Sequence, residues 1–351
     1  DSSELVENIC DVDDSIKSEL IYYFPEISPI LDRLKVYGFD AENLLAYLLF
    51  NNDLEDVFQE SSTPRGILKL VAKILDVQEN DSVLELCSGK GNFFVELALL
   101  RENLKYTGIE YNMAVNFIAN IRSSLLDRDI SLVLNDAMTY KAEEKVDKLF
   151  ANYPFMISIP DIEYIVKDFV DFPDNIKRVS SDWIFNLKLV EQMKLNGRAV
   201  AIMTNGTTWN STDRKIREYF VENGLIEATV LLPAKLLPGT SIATTLVIFS
   251  HGNTNIKMID AGENFTKDGR RTILSDNDIS DIMELLQKNS NKSITISINE
   301  IAENDYIINA SRYLEKAPEI KDGVELASIV KSITRGAQVK ASYLDENRAS
   351  E

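Results

Sequence analysis

The residues best placed to do chemistry follow the first of several strand-like runs. Ser82–Leu86 leads into Cys87–Gly91, here called the glycine loop, and a helical pattern begins at Asn92. Glycines at a strand-to-helix junction let the backbone approach a ligand closely, and the helix behind them starts with free N–H groups. Because Asn92 and two phenylalanines follow Gly91, the spacing is not the Gly-x-Gly-x-x-Gly of dinucleotide sites. The loop therefore argues against NAD or FAD. The alternative to a ligand-binding loop of another kind is a tight turn that binds no ligand.

Acidic residues end the next two strand-like runs. Glu110 closes Tyr106–Glu110, roughly 20 residues past the glycine loop, where a carboxylate can accept hydrogen bonds from two ribose hydroxyls. Asp136 follows the run Ser131–Leu134. A single acid at a strand end is usually a turn former or a helix cap. Acids or glycine turns after three consecutive strands indicate a nucleoside cofactor.

The most specific feature follows the fourth run, Lys148–Ala151. It is the tetrad Asn152-Tyr153-Pro154-Phe155. Asn before an X-Pro step makes a rigid turn, which can aim the side-chain carbonyl of Asn152 and the main-chain carbonyl of Tyr153 at one point. Two such oxygens can accept both protons of an exocyclic amine, and Phe155 can stack on a planar ring. The alternative is an Asn-x-Pro turn with a phenylalanine in the core.

The segment from residue 62 onward predicts the framework that positions these residues. Short apolar runs alternate with amphipathic helical stretches, which is typical of an α/β fold with a mainly parallel sheet covered on both faces. Ligands bind such sheets at the carboxyl ends of the strands, near the topological switch point. After Phe249 the pattern weakens. The further strands expected are Arg198–Met203, Ala228–Leu232, Thr244–Phe249 and Ile294–Ser297, and the helices are Pro64–Leu75, Asn92–Leu100, Met113–Leu126, Ser181–Leu195, Thr212–Asn223 and Asp278–Lys288.

Composition narrows the function classes. The chain has 351 residues, 45% hydrophobic and 26% charged, which are globular values for two or three domains. Its longest apolar runs, such as Leu44–Phe50, are far shorter than the ~18 residues of a membrane helix, and we expect no signal peptide. Two cysteines, Cys10 and Cys87, and one histidine, His251, exclude a disulfide framework, a four-thiolate zinc site and any mechanism with two imidazoles. We expect a cytoplasmic protein without a metal site and without membrane contact.

The negative charge is concentrated at the N-terminus. The formal net charge is −19, and residues 1–60 hold 15 acidic and 3 basic side chains, which leaves −12 in that segment. Apolar residues at spacings of three and four predict that residues 1–60 form a small helical module. Its acidic face is best explained as a solvated surface, and a docking surface for a basic partner is the alternative.

Together these motifs resemble those of amino-group DNA methyltransferases that use S-adenosylmethionine, in the order found in adenine-N6 enzymes. The closest resemblance is to the modification subunits of type I restriction systems and related single-chain enzymes. The tetrad matches three of the four positions of the family's Asn-Pro-Pro-Phe, and Ser62–Gly66 resembles the family's first motif. Further matches are Ala201–Gly206, Leu236–Thr240 and a C-terminal signature, Glu300–Asn309 with Ser311-Arg312-Tyr313. The resemblance covers about residues 60–315.

The resemblance implies a Rossmann-like methyltransferase sheet and a role for each site residue. Asn152 and the backbone of Tyr153 would accept hydrogen bonds from the target amine, and Phe155 would stack on a flipped base. Glu110 would bind the ribose, with Tyr111 or Asn112 near the adenine ring. The remaining cofactor residues implied are Thr63 beside the cofactor, Glu85, Cys87, Gly89 and Gly91 around its methionine part, and Asp136 and Ala137 near its purine.

Three residues depart from the family pattern. Tyr153 stands where the tetrad has its first Pro, which predicts a less rigid loop; Leu86 replaces a usual Pro, and Lys90 places a charge beside a sulfonium ligand. Cytosine-C5 methylation is excluded because no Cys follows Pro154. Two alternatives stay open: a methyltransferase acting on a protein amide such as glutamine, and an assembly module that has lost turnover at Tyr153.

The resemblance also implies a domain plan and partners. Residues 61–315 would form the catalytic domain, and 316–351 a linker or the start of a truncated target-recognition domain. Phosphate contacts need Lys and Arg, and this acidic chain has no long basic run. We therefore expect it to bind DNA weakly alone and to rely on a specificity subunit or an attached target-recognition domain.

Overall fold

The computed structural model describes residues 63–314, except 102, 125, 127, 128, 161, 167, 168, 170–177 and 239, together with 324 and 326–331. A boundary between two compact units falls after Leu314. The predicted N-terminal module at 1–60, its boundary and most of the predicted segment 316–351 lie outside the described residues. In the described part of the chain, no helix is long and apolar enough to cross a membrane.

Strands and helices alternate along the first unit. The strands are β1 Ser82–Leu86, β2 Lys105–Glu110, β3 Asp129–Leu134, β4 Val146–Ala151, β5 Met193–Thr204, β6 Ile226–Leu231, β7 Thr244–Phe249, β8 Asn255–Asp260, β9 Thr266–Asp268, β10 Arg271–Ile273 and β11 Ser293–Ser297. The α-helices are α1 Arg65–Leu75, α2 Asn92–Ala98, α3 Met113–Ser124, α4 Ile162–Val166, α5 Ser181–Glu191, α6 Arg214–Glu222, α7 Asp276–Gln287, α8 Ile298–Glu303 and α9 Ser311–Leu314. The second unit contributes α10, Leu326–Ile329.

The sheet has a topological switch point between β1 and β4. Nine strands lie in the order β11-β8-β6-β7-β5-β4-β1-β2-β3. Pairing is parallel from β3 through β2, β1 and β4 to β5 and again between β6 and β8, whereas β7 runs antiparallel between β5 and β6. The chain builds outward from β1 in one direction and from β4 in the other, so their carboxyl ends open a crevice between them.

Both faces of the sheet are buried, as the alternation predicted. Val83 on β1 and Ile202 on β5 pack into a cluster with α1 and α2, while Leu84 and Ala201 pack into a second cluster with α5 and α6. Successive side chains of a strand point to opposite faces, so apolar residues at consecutive positions fill both cores. The predicted α/β sheet is confirmed.

Some predicted boundaries were wrong. The helix expected over Ser181–Leu195 ends at Glu191, because Met193 already belongs to β5, where it pairs with Val146 of β4. Strand pairing there outweighs local helix propensity. Strand β8 was missed in the region where the pattern weakened, and it extends the sheet by pairing with β6 and β11. The other predicted strands and helices are present, with ends shifted by a few residues.

Candidate functional site

The glycine loop turns sharply from β1 into α2 at the switch point. Cys87, Gly89 and Gly91 all have positive φ, at 58°, 57° and 77°. A Cβ on Gly91 would lie 1.8 Å from a ring carbon of Phe94, so only glycine fits there. The Ser88 N–H donates to the Ile109 carbonyl at 2.9 Å, which ties the loop to the end of β2. The loop thus presents backbone rather than side chains at Gly89 and Gly91.

Glu110 is fixed against the glycine loop. Its carboxylate accepts the Gly89 N–H at 2.9 Å and the Asn112 N–H at 2.7 Å. A carboxylate has about four lone-pair sites, so it retains the capacity to accept two hydroxyls. Asn112 caps α3 by accepting from the Ala114 and Val115 N–H groups, whereas the Tyr111 side chain is 77% exposed. Both residues considered for an adenine ring are exposed, and the two differ in that the Asn112 side chain is engaged in capping α3.

Glu85 is buried and Cys87 is half-buried, and both interact with the charges of neighbouring carboxylates. Burial raises the pKa of Glu85 well above its usual range; the hydrogen bond from the Tyr106 hydroxyl opposes this, and the charge of Glu110 adds to it. Burial also raises the pKa of the Cys87 thiol, with Glu110, Glu85 and Asp136 acting in the same direction. Cys87 therefore stays a thiol and is unsuited to be a nucleophile.

Asp136 forms the turn after β3. Its carboxylate accepts the Met138 N–H at 2.9 Å and its carbonyl accepts from Thr139 and Tyr140, while Ala137 is buried beside it. The turn-forming role considered from the sequence is thus present. One carboxylate oxygen is engaged locally, and Asp136 still lies at the same edge of the sheet as Glu110.

Thr63 orients the amide of Asn152. The Asn152 Nδ2 donates to the Thr63 Oγ1 at 2.8 Å, which leaves the Asn152 Oδ1 as the acceptor of the tetrad. The Thr63 carbonyl in turn accepts from Asn92 Nδ2 at 3.2 Å, at the start of α2. Thr63 therefore connects the tetrad to the segment after the glycine loop.

The Tyr153 side chain points into the core. It is 2% exposed, stacks on Phe185 with ring centroids 4.7 Å apart and planes at 8°, and donates its hydroxyl to Asn186 Oδ1 at 3.0 Å. Phe155 is half-buried and meets Tyr153 edge-on at 6.4 Å, while Pro154 is exposed. The loop that was expected to be less rigid is held by a buried aromatic side chain.

Helix α5 holds the loops that follow both β4 and β5. Besides Phe185 and Asn186, it carries Asp182, which accepts the Thr204 N–H at 2.8 Å and the Thr204 hydroxyl at 3.1 Å. Sequence reasoning missed these contacts. The available signal was a pair of polar residues, Asp182 and Asn186, four apart within an apolar helical run.

The C-terminal signature supports the loop after β5. Asn309 Nδ2 and Thr245 Oγ1 both donate to Asn205 Oδ1 at 2.9 Å. The buried Arg217 donates through Nε to the Tyr306 carbonyl at 2.8 Å and through Nη1 to the Thr207 carbonyl at 3.1 Å. The segment Glu300–Tyr313 is therefore part of the architecture at the carboxyl edge.

Comparison with known proteins identifies related sequences. The model of the N-6 DNA Methylase family matches residues 50–322. The MjaVIII type I restriction enzyme methylase subunit of Methanocaldococcus jannaschii is 23% identical over 310 residues, covering 79% of this chain and 53% of that protein. The HindI methylase subunit of Haemophilus influenzae is 23% identical over 304 residues, covering 78% and 67%. The chain spans about half the length of the first curated relatives it matches.

Solved structures agree on the fold. The methyltransferase subunit of a type I restriction-modification system from Streptococcus thermophilus superposes with a TM-score of 0.68 at 21% identity, covering 78% of this chain and 62% of that one. The EcoKI M protein gives a TM-score of 0.51 at 15% identity, covering 70% and 57%. The predicted Rossmann-like methyltransferase sheet is thereby confirmed.

Proposed function

The chain belongs to the N-6 DNA methylase family, and from this premise we propose that it transfers a methyl group from S-adenosylmethionine to adenine N6 at a specific DNA site in a restriction-modification system. One observation carries the proposal. At the switch point, the Gly89 N–H of the glycine loop, which follows β1, holds the carboxylate of Glu110. The neighbouring strand in the sheet, β4, ends at Asn152, whose amide nitrogen is already engaged by Thr63. A ribose acceptor and an amine acceptor therefore flank one crevice.

The residues around the crevice are compatible with S-adenosylmethionine. The glycine loop presents backbone at Gly89 and Gly91, and Glu110 offers the remaining lone pairs of a fixed carboxylate to ribose hydroxyls. Exposed apolar side chains of Tyr111 and Leu134, at the ends of β2 and β3, can cover a purine. Glu85, Cys87, Asp136 and Ala137 complete the proposed pocket.

The chemistry needs positioning rather than a nucleophile from the protein. The bound cofactor supplies an electrophilic methyl group. The lone pair of an exocyclic amine is delocalised into its ring, so the amine is a poor nucleophile. Two acceptors, Asn152 Oδ1 and the Tyr153 carbonyl, favour a tetrahedral nitrogen whose lone pair faces the methyl group. This is orientation with electrostatic preorganisation.

The surface at the carboxyl edge favours a base as the substrate. Met156, Trp209 and Ile242, in the loops that follow β4 and β5 and precede β7, are 84%, 55% and 60% exposed. Flipped bases are stacked between aromatic and apolar side chains, a role that we propose for Phe155. Since the formal charge is −19, we propose that DNA affinity and sequence choice come from a specificity subunit or an attached target-recognition domain.

Genomic methylation tests this function with the natural protein and its natural partners. DNA from host cells carrying the intact chain or the Asn152→Ala allele is sequenced by a method that detects methylated bases. We expect one sequence motif with N6-methyladenine in the first strain and its loss in the second. Identical adenine methylation in both strains would overturn the proposal.

A further inference from the structure

We infer that Tyr153 and Asn186 form a buried anchor that fixes the tetrad in place of the missing proline, with Asn186 as a positioning residue. The inference deepens the proposed function, because the anchored residue contributes one of the two amine acceptors. A proline at this place would fix φ by its ring. Tyrosine has no such ring restraint on its own φ, and its buried side chain supplies a restraint instead.

The contacts of Tyr153 supply that restraint in two directions. Parallel stacking on Phe185 at 4.7 Å fixes the plane of the ring, and the 3.0 Å hydrogen bond to Asn186 fixes how deeply the side chain is inserted. Both partners lie on α5, whose residues from Ser181 to Val190 are all buried. A shift of the Tyr153 backbone would therefore require breaking contacts inside a packed core.

Asn186 is oriented for this task. Its side chain is fully buried, and its Nδ2 faces the Met203 Sδ at 3.7 Å, so that Oδ1 is turned to the Tyr153 hydroxyl. A buried polar group left without its partner costs about 1–3 kcal/mol. Positions of the Tyr153 side chain that break its hydrogen bond to Asn186 are therefore disfavoured.

The same helix also sets the neighbouring loop. Asp182 lies one turn before Asn186 and binds the end of β5 through Thr204. Asp182 and Asn186 of α5 therefore hold the ends of β5 and β4 in a common frame. A misplacement of about 1 Å at a reacting centre can lower a rate by about 10²-fold. The position that these contacts give to the Tyr153 carbonyl should therefore affect the rate of methyl transfer.

Hydrogen exchange of the tetrad tests the anchor without reference to activity. We expect Tyr153→Phe and Asn186→Leu each to speed amide exchange at residues 152–157 by about tenfold, the loss of one hydrogen bond. Exchange in the peptide covering 87–91 should not change. Ser293→Ala is the matched control, since it removes a buried hydroxyl that donates to the Lys288 carbonyl at 2.6 Å on the far strand β11. Unchanged exchange at the tetrad in both variants overturns the inference.

Turnover then separates positioning from mere stability. Measured well below the melting temperature with saturating cofactor, both variants should lower kcat by about tenfold without weakening S-adenosylmethionine binding, and the double variant should be no worse than either single one. Adding Tyr153→Pro should make kcat insensitive to Asn186→Leu. Lower melting temperatures with unchanged kcat would contradict a positioning role. If the wild-type protein shows no methyl transfer but the exchange effect is present, the proposed function fails and the anchor stands.

Discussion

The two halves of the site, on either side of the switch point, hold their residues in different ways. On the β1–β3 side, Glu110 and Asp136 are fixed by backbone N–H groups of the turns that follow these strands, from Gly89, Asn112 and Met138, the farthest of which is 21 positions away. On the β4–β5 side, Asn152 bonds Thr63, 89 positions away, and Asn205 accepts from Asn309, 104 positions away. The proposed cofactor side is built from turn geometry and the proposed target side from long-range packing.

This difference implies separable functions. Side chains whose geometry is set by their own loops should tolerate changes elsewhere, whereas the tetrad should respond to residues outside it. Substitutions on the two sides should therefore split into those that weaken cofactor binding and those that slow transfer.

Asn152→Ala should have the largest effect on methyl transfer. Loss of one preorganised acceptor lowers kcat by about 10²–10³-fold. S-adenosylmethionine affinity, measured by calorimetry, should stay the same because Asn152 bonds Thr63 and not the glycine loop. Asn255→Ala, an exposed amide on β8, is the control. Unchanged turnover in Asn152→Ala would disprove the acceptor role.

Glu110→Gln should weaken cofactor binding and leave the transfer step largely unchanged, the opposite of Asn152→Ala. It replaces a charged acceptor with a neutral one, so cofactor affinity should fall by about 10–100-fold. Once the cofactor is saturating, kcat should recover to near the wild-type value. Asp129→Asn, an exposed acid at the other end of β3, serves as the control. If Glu110→Gln binds as tightly as wild type, the ribose assignment is wrong.

Thr63→Val challenges the division most directly, since the family resemblance places Thr63 beside the cofactor and the structure joins it to Asn152. Removing the hydroxyl frees the Asn152 amide to rotate, and we expect kcat to fall about tenfold. Thr63→Ser, which keeps the hydroxyl, should retain most of the activity. A loss of cofactor affinity with normal kcat would instead place Thr63 on the cofactor side.

A substitution of Asp147 should affect stability alone, because this residue lies near the start of β4, at the end of the strand opposite to Asn152. Burial would raise its pKa, but hydrogen bonds from Lys194 and Ser82 outweigh that and lower the pKa to about 2. A carboxylate with a depressed pKa stabilises the fold above its unfolded value, near 3.8, and this contribution is lost as pH falls toward 2. Asp147→Asn should lower the free energy of unfolding at pH 7 by about 1 kcal/mol or less, since the group is partly solvated.

Acid unfolding followed by circular dichroism checks this prediction. The variant should lose part of the pH dependence between about 4 and 2 that wild type shows. Calorimetry should give the wild-type affinity for S-adenosylmethionine. A change in cofactor affinity would mean that the two edges of the sheet are coupled.

The features that local sequence signals determine could be predicted, whereas those that depend on long-range packing could not. The glycine loop, Glu110 and the tetrad were placed at the ends of β1, β2 and β4 because strand periodicity and turn residues are local signals. The partners Asn186 and Asp182 could not be assigned, because only the folded core brings α5 against β4 and β5. Strand β8 was missed although it begins with alternating polar and apolar residues, because the turn signals Gly252-Asn253-Thr254-Asn255 run directly into it. The catalytic and binding roles of all the predicted site residues stay predictions.

A crystal structure with bound S-adenosylhomocysteine tests most directly whether the two halves meet around one cofactor. We expect a nucleoside between Gly91, Glu110 and Asp136, ribose hydroxyls within hydrogen-bonding distance of Glu110, and a sulfur atom that faces Asn152 Oδ1. A nucleoside bound elsewhere, or none at saturating ligand, would contradict it.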